Sequence, residues 1–372
     1  MRPGPVPIPT EGESQPVGDA AVAKRILREY HRRGLDPGSF QRLAGTVHGD
    51  GVSYLVTAGD GQRLVVRACR ADAPVPVQFR RSSRTTPLDW LVTRAATLDY
   101  LERDGYPAPR VVRTRSGDTV GLDGVWLTLA TSHVEGAVLR PSVQQLRMLG
   151  AALGRLHSLS LAGEAGEAGP GPALWYPEQA IPETLARLDR VAGLVPPDWQ
   201  EMYRQFRETV LTVQAAVGSL PAGLVHGDAW AANAVQTGPA QVILIDWECG
   251  GLGVPVLDLG NCLLEGLLDA VPAGTGPDAW NVQPAEDRIA AVAAGYQTRR
   301  VLSAGERALL LPAIRFGVAY AGAIHFEQAL AEGVRGAAMD VRLERLRNRL
   351  AVSEAVARLA AGHLAGNGKP VR

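Results

Sequence analysis

Three polar residues in the second half of the chain have the types and spacing that phosphoryl transfer requires. Asp228 and Asn233 lie five residues apart in a loop entered from an apolar pair. Asp246 follows the apolar triplet Ile243–Ile245, which predicts a short buried strand ending at this carboxylate. One carboxylate can orient an attacking hydroxyl and accept its proton, while an amide and a second carboxylate can hold Mg²⁺ against phosphate groups. The segment therefore predicts a site for phosphate chemistry.

The motifs around these residues resemble those of the aminoglycoside phosphotransferase and choline kinase-like family. The chain reads His-Gly-Asp from His226 to Asp228, Ile-Asp-Trp-Glu around Asp246, and Leu-Asp-Leu-Gly around Asp258. An Asp, an Asn five residues later and a further Asp downstream is also the order found in kinase catalytic loops. The resemblance implies an α+β, protein-kinase-like fold with two lobes, and ATP-dependent phosphorylation of a hydroxyl group.

Matched position by position, the resemblance implies a role for each of these residues. Asp228 would be the catalytic base, and Asn233 and Asp246 would bind Mg²⁺. His226 and Asp258 would hold the catalytic loop in place. The implied nucleotide is ATP. GTP stays open, because recognition of the base by the backbone leaves no side-chain signature in the sequence.

The resemblance also indicates residues that would contact the nucleotide. Ser53 ends a glycine-containing segment where a phosphate-covering loop is expected, although its glycine spacing is irregular and a plain hairpin turn is an equal alternative. Arg67 occupies the strand position where a lysine is usual, and Arg94 the helix position where a glutamate is usual. Arginine can still contact phosphate, with a permanent charge and two parallel donors. The alternative is that Arg67 faces solvent on an edge strand.

The connector after the last strand of the first lobe is expected to contact adenine through its backbone, at Ala130 and Ser132. Residues 1–19, rich in Pro, Gly and Glu, are predicted to be a disordered arm. Residues 20–135 should form a β-rich N-lobe with a short helix at residues 20–33 and one principal helix at residues 87–104. Residues 136–372 should form a helical C-lobe carrying the catalytic and metal-binding loops, and its apolar spacing predicts single helices over residues 304–332 and 337–364. His157, at the end of the first C-lobe helix, is interpreted as a packed helix-terminal histidine.

Composition excludes several functional classes. The 38 basic and 38 acidic residues give no net charge, which argues against a nucleic-acid partner. The three cysteines lack metal-ligand spacing and are too few for a disulfide framework, which favours a reducing, cytoplasmic setting. No stretch of about 18 apolar residues is present, so we expect no membrane association.

The acceptor is the least constrained part of the prediction. Acidic and basic residues are nearly balanced after Asn261, and four arginines cluster in residues 342–349, which argues mildly against a polycationic antibiotic. A neutral metabolite or antibiotic hydroxyl is the primary hypothesis. One alternative is a peptide Ser/Thr kinase of ribosomal-peptide natural product biosynthesis, suggested by the arginine-rich loop before residue 87. Another is a pseudokinase that binds a nucleotide or a protein partner, suggested by the altered Arg67 and Arg94.

Overall fold

The computed structural model describes residues 29–30, 40–43, 51–58, 61–73, 75, 85–161, 170–173, 176–265, 285–334 and 336–364. The arm predicted at 1–19 lies outside these residues, as do most of the helix expected from residue 20, Gly45 and Gly49 of the expected phosphate loop, and nearly all of the arginine-rich loop. The chain forms two compact units. The first contains Met1–Val75, Thr86–Leu91 and Val111–His133, and the second contains Pro76–Thr85, Val92–Arg110 and Val134–Arg372.

The first unit is built on an antiparallel sheet with the order β1-β2-β3-β6-β4, in which β5 also pairs with β6. Its strands are β1 (Phe40–Arg42), β2 (Val52–Thr57), β3 (Arg63–Arg70), β4 (Val111–Val112), β5 (Gly121–Asp123) and β6 (Trp126–Ser132). The period-two alternation of β2 and β3 places Tyr54, Val56, Leu64 and Val66 in one apolar core cluster together with Tyr30. The Tyr30 hydroxyl donates to the carbonyl oxygen of Thr128 at 2.9 Å.

Helix α1 (Pro87–Arg103) has the start and stop signals expected from its sequence. Pro87 is its first residue, where a missing N–H costs nothing. Thr86 and Asp89 cap it reciprocally, since the backbone N–H of each residue donates to the side chain of the other. Gly105 follows the last turn with φ +66°, a conformation that glycine adopts without a Cβ clash.

The second unit is mainly helical. Its further helices are α2 (Val143–Leu156), α3 (Pro177–Val191), α4 (Gln200–Val217), α5 (Pro255–Glu265), α6 (Glu286–Gln297), α7 (Ala304–Ala308), α8 (Leu310–Phe326) and α9 (Ala337–Leu364). A single helix was expected over residues 304–332. The chain instead begins anew after Leu309 and ends in a π-helical turn, Glu327–Ala331. Helix α7 begins at a capping box, in which Ser303 and Glu306 each accept from the other's backbone N–H. Pro312, in the first turn of α8, has no N–H to donate to the carbonyl oxygen of Ala308, which favours the break at Leu309.

Small residues let the helices of this unit approach closely. A Cβ on Gly295 of α6 would overlap the carbonyl oxygen of Arg147 on α2, and a Cβ on Gly154 would lie 2.6 Å from the carbonyl oxygen of Tyr296. On α5, a Cβ on Gly260 would lie 2.5 Å from the backbone of Ala313 on α8. These glycines therefore set how close α2 lies to α6 and α5 to α8.

Two small sheets interrupt the helices and carry the loops of interest. In one, β9 (Ala234–Gly238) and β10 (Gln241–Leu244) form a hairpin, and β7 (Ala137–Val138) pairs with the other edge of β9. In the other, β8 (Gly223–Val225) pairs with β11 (Gly251–Gly253). Within the described residues, no helix is long and apolar enough to span a bilayer.

Candidate active site

The β9–β10 hairpin brings together the ends of two segments that carry candidate site residues. Asn233 immediately precedes β9 and Asp246 lies two residues after β10. Ala234 pairs with Leu244 in the hairpin, and the backbone N–H of Ile245 donates to the carbonyl oxygen of Asn233 at 2.9 Å. The antiparallel register therefore brings together residues that are 13 positions apart in the printed sequence.

Asp228 and Asn233 are in direct contact. The side-chain amide nitrogen of Asn233 donates to the Asp228 carboxylate at 2.7 Å and to the Asp228 carbonyl oxygen at 3.0 Å. Asn233 ends a short 3-10 helix, Ala231–Asn233, which turns the chain back after Asp228. The contact fixes the side chain of Asp228 against its own loop.

Asp246 has an unusual backbone conformation. Its φ of 61° and ψ of 63° lie in the left-handed region, and in the part of the chain that the structure describes it is the only non-glycine residue with positive φ. This conformation costs a non-glycine residue about 1–2 kcal/mol. Trp247 then starts a 3-10 turn, and its indole nitrogen donates to the carbonyl oxygen of Leu244 at 2.9 Å. Such strain is concentrated at functional sites, where the surrounding structure maintains it.

Asp258, in the first turn of α5, binds the backbone of the loop that precedes Asp228. One carboxylate oxygen accepts from the backbone N–H of His226 at 2.7 Å, and the other from that of Gly227 at 3.0 Å. Gly227 has φ +78°, and a Cβ there would overlap the backbone of Cys249. Asp258 is fully buried, and each of its carboxylate oxygens accepts from a backbone donor of the loop.

His226 contacts both the loop of Asp228 and the strand end that precedes Asp246. Its Nε2 lies 2.9 Å from the carbonyl oxygen of Ile245, and its Nδ1 lies 3.3 Å from the backbone nitrogen of Asp228. A neutral ring with the proton on Nε2 satisfies both contacts. Burial lowers the pKa of His226, which favours that neutral form. The Trp247 ring packs against the imidazole at 4.7 Å between centroids.

His157 makes buried side-chain contacts that the sequence does not predict. It caps α2 as expected, but its Nε2 also lies 3.1 Å from the Asp258 carboxylate and its Nδ1 lies 2.9 Å from the Tyr296 hydroxyl. The Leu-His pair at the end of an amphipathic helix was the available signal. Its partners are 101 and 139 residues away along the chain, so the sequence pattern could not reveal them.

The electrostatic surroundings of Asp228 suit a proton acceptor. Burial, the negative charge of Glu265 and that of Asp246 together raise the pKa of Asp228 to about 7, against the lowering effect of the Asn233 hydrogen bond. Glu265 was not among the predicted site residues. It ends α5 and forms a two-point ion pair with Arg349 of α9, at 2.9 and 3.1 Å.

The residues predicted to bind a metal ion have the chemistry that Mg²⁺ requires. The amide nitrogen of Asn233 is engaged by Asp228, so the amide oxygen is the atom that a cation would use. With the Asp246 carboxylate it provides a hard oxygen donor set. Within the described residues, no group of three His, Cys, Asp or Glu side chains could hold a metal ion. Mg²⁺ at kinase sites is usually bound through one or two carboxylates together with the phosphates of the substrate.

In the first unit, Ser53 and Arg67 are direct cross-strand neighbours on β2 and β3. Both side chains are buried, and the Arg67 guanidinium carbon lies 5.0 Å from the centroid of the Trp90 ring. Strand β3 pairs with β2 on one side and β6 on the other. The alternative of a solvent-facing arginine on an edge strand is therefore wrong.

The predicted connector residues lie within a strand rather than after it. Ala130 is fully buried and pairs with Val66 on β3 and Val112 on β4, and Ser132 pairs with Leu64 at the end of β6. The strand extends further than its residue pattern suggests because β3 is long enough to continue the ladder. Arg94, on α1, is buried and donates to the carbonyl oxygen of Gly250.

Known proteins resemble this chain in sequence and in fold. The family described as APH, phosphotransferase enzyme family, matches residues 41–302. A homoserine kinase from Hyphomonas neptunium is 30% identical over 232 residues, which cover 59% of this chain and 65% of that protein. One from Methylobacterium radiotolerans is 28% identical over 219 residues, covering 57% and 61%. The chain thus spans slightly less than two thirds of the length of these relatives.

Solved structures with low sequence identity share the fold. An amicoumacin kinase, solved in complex with AMP-PNP and Ca²⁺, superposes with a TM-score of 0.63 at 16% identity, covering 91% of this chain and 93% of that one. A choline kinase from Cryptosporidium parvum gives a TM-score of 0.60 at 12% identity, covering 92% and 98%. The predicted kinase-like α+β fold is confirmed.

Proposed function

Because this chain belongs to the APH phosphotransferase enzyme family, we propose that it transfers the γ-phosphoryl group of ATP to a hydroxyl group of a small molecule, in a Mg²⁺-dependent reaction. The observation that carries the proposal is the bonded Asp228–Asn233 pair, joined through the β9–β10 hairpin to a strained Asp246. A scaffold without phosphotransfer would not require all three residues, which weighs against the pseudokinase alternative.

In the proposed reaction, Asp228 orients the acceptor hydroxyl toward the γ-phosphate and accepts its proton. A general base works best when its pKa is close to the working pH, because it is then partly deprotonated and still basic enough to take the proton. Burial and the nearby carboxylates raise the pKa of Asp228 to about 7 without a metal ion, which makes the carboxylate more basic than an ordinary aspartate. The Asn233 amide prevents rotation of the carboxylate, and the bonds from His226 and Gly227 to Asp258 fix the backbone that precedes it.

Asn233 and Asp246 are proposed to hold Mg²⁺. When bound, Mg²⁺ would neutralise charge on the phosphates and, as a positive charge near Asp228, would lower the pKa of that carboxylate. Most of the acceleration would come from positioning and electrostatics, because phosphoryl transfer requires little covalent chemistry from the protein.

Ser53, Arg67, Ala130 and Ser132 are proposed to contact the nucleotide. Arg67 would supply the positive charge for the phosphates in place of the usual lysine. Its guanidinium lies over the Trp90 ring, an arrangement that suits a planar cation better than an ammonium group. The backbone of β6 around Ala130 and Ser132 would contact the purine, and GTP remains a candidate beside ATP.

The acceptor is proposed to be a small hydroxylated molecule, either a metabolite or an antibiotic. The relatives named homoserine kinases make a hydroxylated amino acid the first compound to test. The two solved structures compared above are named for small-molecule acceptors, and a peptide Ser/Thr kinase stays the alternative.

The proposal is tested by measuring ADP formation and phosphorylated product with ATP and Mg²⁺ over an acceptor panel. The panel contains homoserine, an amino alcohol, a macrolide, a kanamycin-like aminoglycoside and a Ser/Thr peptide. We expect acceptor-dependent ADP formation that EDTA abolishes and that the Asp228→Asn variant lacks. Acceptor-dependent turnover retained fully by Asp228→Asn would contradict the assignment of the site.

A further inference from the structure

Behind the catalytic loop, a chain of buried polar side chains runs from α7 through α6 and α2 to Asp258. Glu306 accepts from Arg300 at 2.7 Å, and another nitrogen of the same Arg300 guanidinium donates to the Tyr296 hydroxyl at 3.0 Å. Tyr296 contacts His157 at 2.9 Å, and His157 contacts Asp258 at 3.1 Å. Tyr296 and Asp258 are fully buried and Glu306 is almost so. Burial makes each of these bonds costly to leave unmade.

The hydrogen-bond directions in this chain follow from the Asp258 carboxylate and from a neutral His157 ring. The carboxylate can only accept, so Nε2 of His157 donates to it. In a neutral ring Nδ1 then carries no proton, and the Tyr296 hydroxyl donates to it. The Tyr296 oxygen accepts from Arg300, which can only donate. Burial lowers the pKa of His157, which agrees with the neutral ring.

The chain is anchored at both ends. At one end, Glu306 also belongs to the Ser303 capping box, so its carboxylate is fixed at the start of α7. At the other end, the Asp258 carboxylate accepts from the two backbone N–H groups that precede Asp228. The close crossing of α2 and α6, which Gly154 and Gly295 permit, brings His157 within reach of Tyr296.

We propose that Tyr296 and Arg300 are positioning residues, which fix the His157 tautomer and thereby the orientation of the Asp258 carboxylate beneath the catalytic loop. This inference rests on the proposed function, because its kinetic readout is turnover. Tyr296 and Arg300 touch neither substrate nor metal ligand in this scheme. Their effect on catalysis passes through Asp258 to the backbone of His226 and Gly227.

The first test is Tyr296→Phe, which removes the hydroxyl and keeps the packed ring. We expect kcat to fall by about 10-fold, roughly the effect of one lost buried hydrogen bond, while the dissociation constant of the Mg²⁺-nucleotide stays unchanged. Tyr203→Phe is the matched control, because it removes a partly buried tyrosine hydroxyl that bonds the Leu188 carbonyl outside this chain. Unchanged kcat in Tyr296→Phe would overturn the proposal, whatever its melting temperature. Equal losses in both variants would do the same.

A second pair of variants covers the case in which Tyr296→Phe does not fold. Arg300→Lys retains a cationic donor for the tyrosine oxygen and for Glu306, whereas Arg300→Met retains neither. We expect Arg300→Lys to keep most of the wild-type kcat and Arg300→Met to lose about as much as Tyr296→Phe. Equal kcat values for Arg300→Lys and Arg300→Met would show that the hydrogen bonds donated by residue 300 do not affect turnover, and would contradict the proposal.

An activity-independent readout separates this inference from the proposed function. In ¹⁵N-histidine-labelled protein, with the signals of His157 assigned by their absence in His157→Gln, the wild type should show a protonated Nε2 and a hydrogen-bonded, unprotonated Nδ1. Tyr296→Phe should shift the Nδ1 resonance, and Tyr203→Phe should not. If no acceptor were phosphorylated yet these shifts appeared, the proposed function would fail while the hydrogen-bond chain stood. Unshifted His157 resonances in Tyr296→Phe would refute the chain itself.

Discussion

Asp228 is held by contacts on its side chain and on its backbone. Asn233 binds its carboxylate, and His226 contacts its backbone nitrogen. Because both contacts survive when one carboxylate oxygen becomes an amide nitrogen facing away from Asn233, an Asp228→Asn variant should fold normally. The residue is therefore suited to a substitution that changes chemistry without changing shape.

We expect Asp228→Asn to lower kcat by about 100- to 10,000-fold, the contribution of a positioned general base. Mg²⁺-nucleotide binding should be unaffected, because the proposed metal ligands remain. Near-wild-type turnover in Asp228→Asn would contradict the proposed role of Asp228 as the base.

Asp246→Ala should instead weaken Mg²⁺-nucleotide binding, because it removes a proposed metal ligand. The affinity is measured by calorimetry at several Mg²⁺ concentrations. Unchanged nucleotide affinity in this variant would contradict the proposed role of Asp246.

Arg67 allows a second prediction for a single residue. If it contacts phosphate, Arg67→Ala should weaken nucleotide binding by about 1.5–3 kcal/mol, the range for a charge-assisted hydrogen bond. Arg42→Ala is a suitable control, because Arg42 is an exposed arginine on β1, at the edge of the same sheet. Equal nucleotide dissociation constants for wild type and Arg67→Ala would show that Arg67 does not bind phosphate and that another cation must do so.

Candidate catalytic residues could be chosen from the sequence, because phosphoryl transfer requires particular groups at short, fixed spacings, and their roles stay predictions. Asp228, Asn233 and Asp246 lie within 19 residues of one another in the printed sequence. The environment of the site could not be predicted in the same way. Glu265, His157 and Tyr296 reach it through helix packing over long sequence separations, and no local pattern encodes which residue of a helix faces a distant loop.

At the level of elements, the antiparallel hairpin and the helix crossings fix where the side chains lie. Helix α9 runs from Ala337 to Leu364 as its sequence pattern predicts, whereas the helix expected over 304–332 is divided. The division occurs at Leu309, and the C-terminal end widens to a π turn at Glu327–Ala331. Pro312 lacks the N–H that a continuous helix would donate to the carbonyl oxygen of Ala308, so one proline interrupts a continuous apolar pattern.

The α2–α6 crossing gives a prediction about stability. In Gly295→Ala the new methyl group would overlap the carbonyl oxygen of Arg147, so the helices must separate. We expect a loss of about 1–3 kcal/mol in the free energy of unfolding, the usual range for overpacking. Gly362→Ala is the matched control, since a Cβ at this exposed position of α9 meets no atom within 4 Å. Urea denaturation of both variants measures the free energy of unfolding. Equal denaturation midpoints for the two variants would contradict the close approach of α2 and α6.

For the whole molecule, the motif resemblance and the β-then-helical order of elements were sufficient to predict family and fold class, and both are confirmed. Acceptor specificity depends instead on how charges are distributed in the folded chain. The described carboxylates after Asn261 include several that arginines neutralise. Glu265 is paired with Arg349, and Glu327 with Arg187 and Arg190. Glu265 and Glu327 are therefore both compensated by arginine in the folded chain.

This pairing leads to a prediction about acceptor charge. A polycationic aminoglycoside gains affinity from several uncompensated carboxylates, and each ion pair with arginine reduces that attraction. We expect kcat/KM for a kanamycin-like acceptor to be at least about 10-fold lower than for a neutral or zwitterionic hydroxylated metabolite, a difference of about 1.4 kcal/mol in transition-state binding. Steady-state kinetics at low and high salt test the cause, because salt screens the attraction between a polycation and any carboxylates that recognise it. A polycation that is already the better acceptor in the wild type would refute the charge argument and leave the roles of Asp228, Asn233 and Asp246 intact.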